Sequence, residues 1–200
     1  MKKIHVDKDI TQAATLPSFF YTDPTLFIET KEKLFEKSWQ WVGDLHSLFP
    51  PSNNVHQLSL LPPLLEEPML LVKNQKHEIK CLSNVCTHRA NILVHQSQKT
   101  KQLVCEYHGR RFDLEGRFKS MPQFEEVKNF PRPCDDLHTY DSKQWFEHLF
   151  VSIEPGFDIK KALTPMNERI GHLPIETFKR DPTRSKTYIV NSHWALYCDN

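Results

Sequence analysis

Four residues limit what this chain can become. Cys86-Thr87-His88 is followed, after sixteen residues, by Cys105-Glu106-Tyr107-His108. Each short loop offers one thiolate and one imidazole. Soft thiolate suits the iron of an iron–sulfur cluster, and imidazole suits a more reducible iron. Two Cys on one iron and two His on the other make up a recognised [2Fe–2S] ligand set. In this reading Cys86 and Cys105 hold one iron and His88 and His108 hold the other. Each iron then needs one ligand from each loop, so the loops must face each other across the cluster. The intervening segment has room for one strand out, a turn and one strand back. A zinc site is the first alternative, since two Cys and two His also suit that ion. Zinc knuckles usually pair Cys with Cys and His with His at short spacing, whereas here each short pair is mixed. The second alternative is four unrelated residues, because buried Cys and hydrogen-bonded His are common.

Composition narrows the partners. Two hundred residues suffice for one domain and part of another. A net charge of +1 gives no reason to expect nucleic acid or an anionic membrane as a partner. The opening MKKIHVDKDI has no apolar core of a secretory signal, and no apolar run approaches the ~20 residues of a membrane span. Cys81, Cys134 and Cys198 remain outside the motif. An odd remainder without a signal favours a reducing, cytoplasmic setting over a disulfide scaffold.

The run NVCTHRANILV…LVCEYHGRRFDLEGRF resembles the Rieske segment of the aromatic-ring-hydroxylating oxygenases, the large (α) subunits of Rieske non-haem iron oxygenases. Arg89-Ala90 after the first His and Glu106-Tyr107 between the second Cys and His favour that branch over the cytochrome bc proteins. The extra cysteines that brace the bc-type loops are missing, with Asn91 and Tyr107 at those places. The resemblance implies the ligand set Cys86, His88, Cys105 and His108. It also implies a potential toward the low end of the Rieske range of about −150 to +300 mV. It covers the chain from about residue 16 to its end, but only the first half of a typical member. The fold class it implies is mainly β: small antiparallel sheets, an N-terminal helix and the start of an α+β catalytic domain. The expected division is 1–43 for an arm and helix, 44–156 for the Rieske domain and 157–200 for the beginning of the catalytic domain.

The remaining sequence fills in this plan. Phe19, Phe20 and Tyr21 need a surface to pack on, either this chain or a neighbour. Asp23-Pro24 predicts a helix start, with Asp as N-cap and Pro in the first position. Phe27, Ile28, Leu34, Phe35 and Trp39 then fall on one face and are expected in the core. This N-terminal stretch also resembles the oxygenase signature. EEPMLLVKN and HEIKCLSNV predict two strands joined at Asn74-Gln75-Lys76. Ile92, Leu93 and Val94 are expected beneath the cluster, and RRFDLEGRF predicts a hairpin turning at Glu115-Gly116. Met121-Pro122 is expected to shield the cluster, as a Pro-containing loop does in the family. Arg110 and Arg111 are expected at the surface, as a docking patch for a redox partner or as a solvated charged strand. VKNFPRPC and WFEHLFVSI each predict a strand, residues 158–171 predict a helix, and TYIVNSHWALYCDN is expected to begin as a strand. His46, His56 and His77 have no partner at metal spacing; His95 is expected at the surface, with a hydrogen bond near the cluster as the alternative, and His138 and His148 are expected as structural or surface residues.

The final NSHWALYCDN resembles the opening of the family's catalytic motif, with Trp194 and Asn200 at matching positions; its appearance is closest to choline monooxygenase-like members. His193 matches no ligand position. The family's mononuclear iron ligands lie beyond Asn200, so mononuclear Fe(II) is expected only in the full-length protein, and the sequence in hand reads as a truncated α subunit. No catalytic residue is assigned, and the 200-residue chain alone is not expected to turn over substrate. The resemblance implies an intact mono- or dioxygenase, in trimers, that takes electrons from a ferredoxin or a flavin/iron–sulfur reductase and hydroxylates an organic small molecule. The alternative function is a free-standing Rieske ferredoxin-like electron carrier; neither the N-terminal signature nor the HWALYCDN tail is something such a carrier needs.

Overall fold

The computed structural model describes residues 4–199, so the match at Asn200 lies outside the described residues. Contacts divide the chain into two compact units, Met1–Phe35 with Arg180–Asn200 and, separately, Glu36–Lys179.

In the first unit, α1 (Phe19–Thr22) leads into α2 (Pro24–Thr30). Asp23 caps α2 by accepting the Thr25 N–H at 2.9 Å, and Pro24 occupies the first helical position, where its missing N–H costs nothing. A π-helical turn, Lys31–Phe35, then ends the helix, so Trp39 does not lie on it as the spacing predicted. The aromatics of the arm pack within the chain. Phe20, Tyr21 and Phe27 each meet the His193 ring edge-on, at 5.4, 5.7 and 5.7 Å, and Phe35 meets Trp194 at 5.2 Å. These contacts use the edge-to-face geometry that aromatic quadrupoles favour. They leave Ile28 59% exposed and Leu34 41% exposed, so the apolar face is not the core face its spacing suggested. Residues 187–190 form no strand. Tyr188, Ile189 and Val190 lie at the surface, and only a turn of helix forms, at Ala195–Cys198.

The second unit is built on two antiparallel sheets. Its elements are β1 (Gln40–Asp44), α3 (Leu45–Leu48), β2 (Val55–Leu60), β3 (Glu67–Lys73), β4 (Ile79–Ser83), β5 (Leu103–Val104), β6 (Arg111–Phe112), β7 (Phe118–Ser120), β8 (Thr139–Trp145), β9 (His148–Ser152) and α4 (Lys160–Ile170). The larger sheet has the order β1-β9-β8-β4-β3-β2 and the smaller one β5-β6-β7. Together they bear out the mainly β class.

The run of apolar residues in β3 follows from burial on both faces. Leu70 and Val72 join one core with Leu82, Leu93, Val94, Leu103 and Phe112. Met69 and Leu71 point the other way, into a core with Cys81, Tyr140, Leu149 and Val151. A strand places successive side chains on opposite faces, so one strand serves both cores. The first core also contains Cys86 and Cys105, which sets the two ligand loops on the sheet.

Two of the predicted strands take another form. VKNFPRPC contains no strand; it is loop followed by a short 3-10 turn at Pro133–Asp135. Pro131 and Pro133 have no N–H to give a ladder. WFEHLFVSI is not one strand but the turn and second arm of the β8–β9 hairpin. Trp145 pairs with His148 across Phe146, whose φ is +49°. The helix expected over 158–171 is α4, and the Glu115-Gly116 turn forms with Gly116 at φ +83°.

Candidate functional site: two matched loops

The two Cys–His segments fold into the same loop. In the first, the Cys86 N–H donates to the Asn91 carbonyl at 2.8 Å and the Ala90 N–H returns to the Cys86 carbonyl at 3.0 Å. In the second, the Cys105 N–H donates to the Arg110 carbonyl at 2.8 Å and the Gly109 N–H returns to the Cys105 carbonyl at 2.9 Å. The residue four after each Cys has positive φ, +53° at Ala90 and +73° at Gly109. Residues 86–91 and 105–110 are therefore structural counterparts, although His stands two residues after the first Cys and three after the second.

These loops sort the four side chains by exposure. Cys86 and Cys105 are each 2% exposed, beside each other in the apolar core. His88 is half-buried and His108 exposed, and their rings meet edge-on with centroids 4.9 Å apart. Tyr107 stacks on His108 at 3.9 Å, and Phe124 lies 6.0 Å from His88. Asn91 Nδ2 approaches Cys105 Sγ at 3.8 Å. Burial and the neighbouring Cys105 push the Cys86 thiol up, against the His88 N–H and Arg110, which lower it. Burial, then His108, Arg89 and Arg110, lower the His88 pKa.

The donor set fits a [2Fe–2S] group of mixed ligation. Soft sulfur donors sit in apolar surroundings, and imidazoles sit at the rim, where an electron can enter or leave. Among the described residues, no three His, Cys, Asp or Glu side chains gather as a site for a single metal ion. The four form a thiol pair and an imidazole pair.

Residues around the loops behave unequally against expectation. Leu93 and Val94 lie beneath the loops, while Ile92 is only half-buried. Met121 is buried, and Pro122 closes on the second loop; a Cβ on Gly109 would lie 3.2 Å from Pro122 Cγ. His95 is exposed. Arg111 is at the surface, but Arg110 is 2% exposed and paired with Asp135, so it is neither a docking residue nor a solvated one. Neither the burial of Arg110 nor the role of Asp135 has a signal in the sequence beyond the charges themselves. A cavity of about 510 Å³ opens beside His88, with Thr87, Arg110, Phe124, Phe130 and Asp135 in its walls. Trp194 and His193, in the other unit, are aromatic packing residues there.

Residues 39–131 match the family described as the Rieske [2Fe-2S] domain. Choline monooxygenase of Beta vulgaris is 27% identical over 194 residues, covering 94% of this chain and 42% of that protein. The carnitine monooxygenase oxygenase subunit of Escherichia coli K12 is 28% identical over 146 residues, covering 72% of this chain and 38% of that one. The chain thus spans about two fifths of the length of these relatives. The crystal structure of a quaternary ammonium Rieske monooxygenase in its apo form superposes with a TM-score of 0.68 at 23% identity, over 78% of this chain and 45% of that one. Residues 39–131 are thus a Rieske [2Fe-2S] domain, in a chain similar to the choline and carnitine monooxygenases.

Proposed function

We propose that Cys86 and Cys105 hold one iron of the cluster and His88 and His108 the other, and that the chain is the electron-relay portion of an oxygenase α subunit. The observation that carries this is the pair of matched loops, with thiols inward and imidazoles outward. The bound group supplies one-electron transfer at the His-ligated iron. The protein's own contribution is positional. The apolar core keeps water from the two thiols, and the Asn91 amide and the His88 N–H offer them weak hydrogen bonds. Tyr107 and Phe124 flank the imidazoles and limit how their rings turn. The outer ring nitrogens remain free to hold a proton or a hydrogen-bond partner at the surface.

The rest of the reading belongs to the whole protein. Residues 44–156 form the relay domain, and residues 157–200 lead toward the catalytic one. Electrons come from a ferredoxin or a flavin/iron–sulfur reductase. The mononuclear iron lies outside this chain, in a subunit of a homotrimer in the cytoplasm. The substrate is an organic molecule bearing a quaternary ammonium group, because the choline and carnitine monooxygenases are similar along much of this chain. No helix of the described residues is long and apolar enough to cross a membrane. The free-standing carrier is the weaker reading, since similarity to choline monooxygenase extends over 94% of the chain.

The test is substitution of each proposed ligand, Cys86→Ser, His88→Ala, Cys105→Ser and His108→Ala, with iron and acid-labile sulfide assayed. The parent is expected to carry two irons and two sulfides per chain. Each variant is expected to lose most of both. Full retention in any variant removes that residue from the ligand set. For the substrate, oxygen uptake by the whole protein with a reductase is expected with choline, carnitine or glycine betaine and not with naphthalene; the reverse preference contradicts the proposal.

A further inference from the structure

Arg110 belongs to the second ligand loop, yet its side chain turns inward. Its Nη2 donates to Asp135 Oδ1 at 2.7 Å and to the Asp135 carbonyl at 3.2 Å. Its Nε is buried and has no hydrogen-bond partner among the described residues. Three rings surround the guanidinium instead, with Cζ at 4.9 Å from the Phe118 centroid, 5.6 Å from Phe130 and 5.7 Å from Phe112. Such rings attract a cation through their negative faces. Asp135 is held in turn. Its other oxygen accepts the Arg132 N–H at 2.7 Å, and its carbonyl accepts the Thr87 hydroxyl at 2.8 Å. Thr87 lies between Cys86 and His88, so one residue, Asp135, ties the two ligand loops together.

A buried ion pair is an expensive way to join two loops, because desolvation of both charges offsets their attraction. An apolar pair would pack as well. What only the pair supplies is a fixed charge beside the thiols and imidazoles. Arg110 stands two residues after His108 and lines the same cavity as His88, so its charge lies close to both imidazoles.

We propose that Arg110 is a positioning residue for the [2Fe–2S] centre: its carbonyl closes the second ligand loop, its guanidinium binds that loop to the first through Asp135, and its buried charge raises the reduction potential. This rests on the ligand assignment proposed above. Reduction adds one electron from an external donor, and hence one negative charge, to the centre. A nearby positive charge stabilises that state, and the Asp135 carboxylate partly offsets it.

The two residues therefore have opposite signs, which a purely structural role would not give. The test is the midpoint potential of the holoprotein at pH 7, by dithionite titration followed by EPR, for the parent, Arg110→Gln, Arg110→Lys and Asp135→Asn. Arg110→Gln is expected to lower the potential by about tenfold in the redox equilibrium, ~59 mV for one electron. Arg110→Lys keeps the charge and is expected to shift it less. Asp135→Asn is expected to raise it. Shifts of the same sign in Arg110→Gln and Asp135→Asn, or no shift in either with the cluster intact, overturn the proposal. If Arg110→Gln assembles no cluster, the Lys and Asn variants decide: failure of Asp135→Asn to raise the potential overturns it. A parent with no Rieske EPR signal overturns the ligand assignment instead, so the two failures are distinct.

Discussion

Arg110 Nη2 lies 2.7 Å from Asp135 Oδ1, and both residues are less than a tenth exposed. Removing one member of a buried pair leaves the other charge without compensation, which costs about 3–5 kcal/mol, whereas replacing both is often close to neutral. Arg110→Met is therefore expected to lower the unfolding free energy by about that amount. The double variant Arg110→Met/Asp135→Asn is expected to recover much of the loss. Urea unfolding of the four proteins of the cycle, followed by circular dichroism, measures the coupling; additive losses contradict it.

The same pair makes the domain acid-sensitive. Burial raises the Asp135 pKa, but the hydrogen bonds from Arg110 and the Arg132 N–H, with the charges of both arginines, outweigh it and leave the carboxyl below its usual range. A carboxyl lowered on folding contributes stability in full above its unfolded pKa, near ~3.9 for Asp. That contribution is lost as pH falls through the lower folded value. The stability difference between the parent and Asp135→Asn is expected to be widest near neutral pH and to narrow below about pH 4. Melting temperatures of both proteins across pH 3–7 check the trend, and a gap that widens on acidification contradicts it.

Ala90 and Gly109 occupy equivalent places in the two loops, both with positive φ. A Cβ costs about 1–2 kcal/mol in the left-handed region. At Gly109 it would also lie 3.2 Å from Pro122 Cγ. Gly109→Ala is expected to destabilise by about 1–3 kcal/mol. Ala90→Gly is expected to be neutral or slightly stabilising, since Ala already bears that strain. Denaturant midpoints of the two variants give the comparison, and the opposite ranking contradicts the matched-loop geometry.

The five cysteines should separate by reactivity. Cys81 is fully buried, and desolvation pushes its thiol up to about 12. Only thiolate reacts readily, so Cys81 is expected to be inert. Cys134 and Cys198 are exposed. With Cys86 and Cys105 on iron, the native protein is expected to show two fast thiols toward a disulfide reagent at pH 8. All five are expected after unfolding with a chelator. Fast labelling of Cys81, read by peptide mass, contradicts the burial of that core.

Sequence and structure agree where local chemistry decides and part where distant packing does. The Cys–His spacing announced two facing loops because each loop is closed by its own backbone. Asp23-Pro24 marked a helix start for the same reason, with the cap and the first turn adjacent in sequence. The apolar stretch of β3 was legible as a strand, and its two-sided burial only from the sheet order. Arg110 was not legible. Nothing near it in sequence shows that Asp135 and the rings of Phe118 and Phe130 converge on it. The β8–β9 turn has no signal in the sequence because Phe146 takes a positive φ without the Gly or Asn that usually marks one. Tyr188, Ile189 and Val190 have strand-forming side chains, yet a strand needs a neighbour, and none pairs with them among the described residues.

Two thiols and two imidazoles from matched loops are proposed to hold one [2Fe–2S] cluster. The most direct measurement is the EPR spectrum of the dithionite-reduced protein, with iron and acid-labile sulfide assayed on the same sample. A rhombic signal and two irons with two sulfides per chain are expected. A colourless, EPR-silent protein holding one zinc would contradict it.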